Sequence, residues 1–168
     1  MLRGEIYTLY FDGRRVVTWW GPGDDDLDRF AVRAGRVLAW PDEEACAEYA
    51  RRAGWQGLDT ADGASPPGRS ELDVEAAQAW LRGRSAAPDP AWALEVWNAA
   101  DDLTRTVGSP PQYRDQLAER CYRKLVAANV PGFFDLASFQ PRWSARELRC
   151  LRRVLGGAVH LFRTALRE

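Results

Sequence analysis

The sequence predicts an α+β protein, with a small antiparallel sheet of about four strands and one helix first and a bundle of about four helices after it. Three observations carry that expectation. The first 40 residues alternate in side-chain character with a period of two and break at glycines. From about residue 70 the apolar residues recur at helical spacing. Between them lies a turn-rich stretch, residues 60–69, with the composition of a linker. Strands grouped ahead of helices are the mark of this class. The division falls near residue 65, with units 1–65 and 66–168 packed as one compact body.

The strands come first. Residues 5–11 place Ile6, Thr8 and Tyr10 on one side and Tyr7, Leu9 and Phe11 on the other. Asp12-Gly13 separates them from a second run, residues 15–20. That dipeptide between two β-rich runs signals a type I′ hairpin turn, because both central residues need positive φ. Gly21-Pro22-Gly23 ends the second strand. A shorter pair, residues 28–32 and 36–40, turns around Gly35.

The helices follow. Pro41-Asp42 opens one that runs to about Ala53, with Glu43 and Glu44 in its first turn and Ala45, Cys46, Tyr49 and Ala50 inward. From Ser70 onward everything reads as helix. Asp73 caps a segment with Val74, Ala77, Trp80 and Leu81 inward, stopped by Gly83. Asp89-Pro90 is an N-cap and N1 pair, and the helix it starts runs to Val107, with Gly108 after it. Pro110-Pro111 opens another, with Tyr113, Leu117, Cys121, Leu125 and Ala128 inward. Ser144 and Glu147 form a capping box for the last helix. Its inward residues are Leu148, Leu151, Leu155, Ala158, Val159 and Phe162, with Arg146, Arg149, Arg153, Arg163 and Arg167 on its polar faces.

Composition narrows the function classes. Among 23 basic residues Lys124 is the one lysine, an arginine bias that reads as the codon habit of a GC-rich bacterial genome. A net charge of −1 and a pI near 5.9 argue against a nucleic-acid binder. No apolar run approaches the roughly 18–20 residues of a membrane span, and the first residues lack a signal-peptide core. Cys46, Cys121 and Cys150 are odd in number and far apart, which suits a cytoplasmic protein without disulfides or a zinc site. Residues 1–100 hold 17 acidic and 11 basic side chains, whereas residues 101–168 hold 7 and 12. Such an asymmetry implies two functional faces, or two halves that attract each other.

The chemistry-bearing motifs are sparse. The single histidine, His160, lies in the last helix beside Val159 and Leu161, where a structural role suffices. The sequence holds no P-loop, GxGxxG, GxSxG or HExxH pattern. No metal and no cofactor is expected. The densest charge cluster is Asp24, Asp25, Asp26 and Asp28, directly after Trp19 and Trp20. A calcium loop would space its ligands and add a late bidentate glutamate, and this run does neither. It reads as a solvated loop or as a protein-binding surface. Tandem tryptophans in a strand point to opposite faces, so one can fill the core and the other is covered by a helix, by a partner or by nothing. Trp19, Trp20, Asp24, Asp25, Asp26 and Asp28 are therefore the partner-binding candidates.

A second constellation lies in the helix after Pro90. Asn98 shares a face with Asp101 and Asp102, beside the Trp97 stripe. A buried carboxylate has to be paired to be tolerated. The expectation is a structural network of Trp97, Asn98, Asp101 and Asp102 with Tyr122 and Lys124, in which Asp101 or Asp102 meets Tyr122 or Lys124.

At these segments the sequence resembles the bacterial immunity proteins of contact-dependent and polymorphic toxin systems. The likeness rests on Trp97-Asn98 followed by Asp101-Asp102, on Tyr122-Arg123-Lys124-Leu125, on Asn129-Val130-Pro131, and on the lead from Pro141 through Trp143 and Ser144 to Glu147. It covers about residues 70–168 and is a helix pattern rather than a catalytic signature. The resemblance implies a cytoplasmic protein that binds a cognate toxin domain without turnover. Toxin-contacting residues vary within that family, so it assigns none. The other readings are an accessory or regulatory interaction module, and an enzyme with a carboxylate–arginine site near Asp101, Arg105 and Arg123.

Overall fold

The computed structural model describes residues 2–57, 68–83, 87–109 and 115–166. Asp12 and Gly13 take φ of 53° and 70°, and the hairpin they close joins β1 (Arg3–Phe11) to β2 (Arg14–Pro22). β3 (Asp28–Phe30) extends β2 antiparallel. The expected second hairpin is split. Its first run pairs with β2, and only β4 (Val32–Arg33) and β5 (Arg36–Val37) face each other across Ala34 and Gly35, both at positive φ. α1 (Glu43–Arg52) is capped by Asp42, whose carboxylate accepts from the Ala45 N–H at 2.8 Å.

The sheet is mixed, not purely antiparallel. β6 (Gln56–Gly57) and β7 (Arg69–Asp73) both run parallel to β1. β7 overturns the expectation of helix from Ser70. Its exposed Arg69, Glu71 and Asp73 alternate with half-buried Ser70 and buried Leu72, a period of two that a single apolar residue conceals. Asp73 then serves twice, as the last strand residue and as the cap of α2 (Val74–Arg82). The linker and the division near residue 65 fall largely outside the described residues. Beyond them the chain returns to the first sheet, so elements from both sides share one layer.

α3 (Pro90–Thr106) begins after Asp89 as expected. α4 (Gln116–Asn129) is capped by Asp115; Pro110, Pro111 and Tyr113 lie outside the described residues, as does Arg167. A 3₁₀ turn (Pro131–Phe134) follows, ended by Asp135 at φ 55°. The capping box of Ser144 and Glu147 starts α5 (Ala145–Ala165).

Three layers result. On one face of the sheet Ile6, Val17 and Trp19 pack with Cys46 and Ala50 of α1. On the other, Leu9, Phe11, Val16 and Phe30 join a core formed by α2 to α5, with Val96, Leu103, Leu125, Leu151, Leu155 and Phe162 at its centre. Strand alternation sorts these residues to their faces. Trp19 reaches its place because position 4 has no side chain: a Cβ on Gly4 would stand 2.5 Å from the Trp19 indole nitrogen and 2.4 Å from the Trp20 carbonyl. Gly21 is as tightly set against Arg3 and Gly4.

Candidate functional site

The acidic turn is built by β2 and β3. The Gly23 N–H donates to the Leu27 carbonyl at 2.9 Å and the Asp26 N–H to the Gly23 carbonyl at 3.1 Å. Asp26 stands at φ 58°. Across the turn the Arg29 guanidinium grips both oxygens of Asp25, and the Leu27 N–H donates to the same carboxylate. The Arg29 guanidinium, aided by that N–H, holds the Asp25 carboxyl well below its ordinary value. Asp24 and Asp26 are exposed and form no ion pair with any described residue, and Leu27 beside them is 47% exposed. The result is an ordered, net-acidic knuckle with an apolar tip.

The tryptophans before it are not part of that surface. Trp19 is 2% exposed, so it leaves the partner-binding candidates. Trp20 points to the other face, stacked on Tyr7 with ring centroids 5.3 Å apart, and its indole N–H donates to Asp102 at 2.9 Å. α3 covers part of it, and Trp20 stays half-buried. Trp40 and Trp55 are half-buried as well. They form one aromatic cluster with Trp19 and Tyr49, with centroid spacings from 5.2 to 6.3 Å. The tryptophans of the sheet region pack against α1 on one side of the sheet and against α3 on the other.

Asp102 is the most perturbed carboxylate of the interior. Burial pushes it up to about 6; the Trp20 bond and Arg105 pull it down, while Asp28 and Asp101 push it further up. Arg105 pairs with it one turn on along α3. Close by, the Thr106 hydroxyl donates to the Asp102 carbonyl at 2.7 Å and accepts from the Phe30 N–H at 2.9 Å, tying β3 to α3. Burial, then Glu95 and Asp102, raise the Tyr7 hydroxyl well above its usual range.

The expected helix network exists with different partners. The Tyr122 hydroxyl donates to Asn98 at 3.0 Å, and the Tyr122 ring meets Trp97 edge-on at 5.4 Å. Lys124 donates to Glu147 at 2.7 Å and to the Arg142 carbonyl at 2.8 Å, not to Asp102. Asp102 is drawn instead toward the sheet, a pairing 82 residues distant that no local spacing announces. Asp101 lies half-buried and raises the Tyr122 hydroxyl, second to burial. Arg123, placed beside Asp101 and Arg105 by the enzyme reading, lines a groove on α4 instead. Cys46, Cys121 and Cys150 are buried, and burial pushes the first two thiols up to about 12, which makes them poor nucleophiles.

Among the described residues no group of three or more potential metal ligands is assembled, and no helix is long and apolar enough to cross a membrane. Fold and site together define an α+β protein with a mixed sheet between one helix and a bundle of four. Comparison with protein-family models, with curated proteins and with solved structures finds no match.

Proposed function

We propose that this chain is a non-catalytic protein-binding protein of the immunity type, which neutralises a cognate bacterial toxin domain by direct binding. The observation that carries the reading is the acidic knuckle at 24–28. Its backbone is closed on itself, Asp25 is committed to holding it, and Asp24, Asp26 and Leu27 face outward. A preformed turn of this kind loses little conformational freedom on binding and complements a basic substrate groove, such as that of a nuclease. The thiols and Asp102 are meanwhile occupied by packing and internal bonds, which favours binding over turnover.

An enzyme centred on Asp102 and Arg105 has one observation in its favour, a carboxyl pushed up to about 6. At 6% exposure beneath Trp20, that group offers a substrate little access. The reading expects this gene to lie directly after one for a secreted protein with a toxic C-terminal domain, and the test is co-expression with that domain; a neighbourhood without one sinks the proposal. Growth rescue by the chain, lost on Asp24→Lys with Asp26→Lys and kept on Asp102→Asn, is the expected result. Rescue that survives the double charge reversal, or that needs the Asp102 carboxylate, sinks the proposal.

A further inference from the structure

The helical half carries a groove in which the acidic knuckle has no part. It lies between α4 and the chain after the 3₁₀ turn and has a volume of about 520 Å³. Phe134, Leu136 and Phe139 line it with Ala127, and Arg120 and Arg123 of α4 stand over them. The two arginines are neighbours on one helix face. Both are exposed and form no ion pair with any described residue. Lys124 also lines the groove, but Glu147 already matches its charge; Glu119 supplies one carboxylate against the two unmatched guanidiniums. Apolar surface continues outside. Phe133, in ring contact with Phe134, is 77% exposed, and Val130 is 53% exposed.

We propose that this groove docks a short acidic segment of a partner protein, with an aromatic or aliphatic anchor set among its carboxylates. The charge balance selects the occupant. Two guanidiniums facing an apolar floor complement carboxylates spaced around one apolar side chain, and bidentate arginine–carboxylate pairs fix its register. A nucleic acid fits less well. The two guanidiniums, unpaired among the described residues, neutralise about two phosphates, too few for useful affinity at physiological salt, and Glu119 opposes a phosphate backbone. The anchor fills the space among Phe134, Leu136 and Phe139 as interface hot spots do. This surface shares no residue with the knuckle, so the chain presents two docking sites of opposite charge.

The experiment is selection of a random dodecapeptide display library on the intact protein, followed by fluorescence anisotropy with the enriched peptide. Arg120→Glu with Arg123→Glu is the groove variant; its circular dichroism and melting should match the parent, since neither residue holds the fold. The expected result is an Asp/Glu consensus around one Phe, Trp or Leu, bound at least tenfold more weakly by the double variant and by Leu136→Ser. Three outcomes overturn the proposal: no enrichment, a consensus without acidic residues, or peptide affinity unchanged in both variants. Binding of an oligo-dT strand more tightly than the peptide also overturns it, in favour of a nucleic-acid surface.

Discussion

Gly4 and Asp102 each set a physical condition on the interior. The side chain missing from position 4 is the space in which the Trp19 indole lies. Overpacking a closed site costs about 1–3 kcal/mol, and the obstacles here include backbone. Gly4→Ala should therefore lower the unfolding free energy by about 2–3 kcal/mol, read from urea denaturation, whereas alanine at the open Gly132 site should show no such clash.

Asp102 gives a pH signature of definite sign. Its folded value of about 6 lies above the ordinary 3.8, so the native state holds this proton where the unfolded chain has released it. Its contribution to stability is therefore full below pH 4 and falls as pH rises toward 6. The difference in unfolding free energy between wild type and Asp102→Asn should shift against wild type over that window, by on the order of 2–3 kcal/mol. A flat difference curve contradicts the burial assigned to this carboxyl. Glu147 behaves oppositely. Burial raises it, but Lys124 and the Ser144 bonds outweigh burial and leave it lowered, so its stabilisation is present above the usual glutamate range and lost as pH falls through its folded value.

Among the elements, α5 has the best-defined start. Ser144 and Glu147 satisfy each other's backbone N–H groups, and Glu147 also receives Lys124 from α4. Ser144→Ala should cost about 1 kcal/mol. Glu147→Ala should cost more, since it strands a partly buried lysine as well. Paired chemical denaturation curves check both, and equal losses contradict the role of Lys124.

The capping box, Asp12-Gly13 and Asp89-Pro90 were all legible in the sequence, because caps and tight turns are decided within four residues. β7 was not. One buried leucine in five residues carries too little periodic signal, and its strand conformation depends on β1, more than 60 residues earlier. Asp102 illustrates the same limit. Its polar neighbours on α3 and α4 were visible by helical spacing, but Trp20 meets it only after the sheet has packed on the bundle. The acidic knuckle was legible as composition; that Asp25 secures it while Asp24 and Asp26 remain outward was not.

For the whole molecule, the two halves of the chain share one core. Leu9, Phe11, Val16 and Phe30 from the strands pack in the same cluster as α2 to α5. Unfolding should accordingly be a single transition, with tryptophan fluorescence and far-ultraviolet circular dichroism superimposing. Separate transitions contradict the shared core. The charge asymmetry joins the halves at Asp12, which Arg163 grips through both oxygens, an exposed pair of small energetic weight. Much of the remaining charge faces outward, acidic at the knuckle and basic along α4.

On the proposed function, the knuckle binds a basic protein surface. Titration calorimetry tests this, with the purified chain against the toxin domain that the proposed function expects to be encoded directly before it, and with wild type and the Asp24→Lys, Asp26→Lys variant in parallel. One-to-one binding that weakens at least tenfold on charge reversal, while the melting temperature stays unchanged, is the predicted result. No binding, or equal affinity for both proteins, contradicts it.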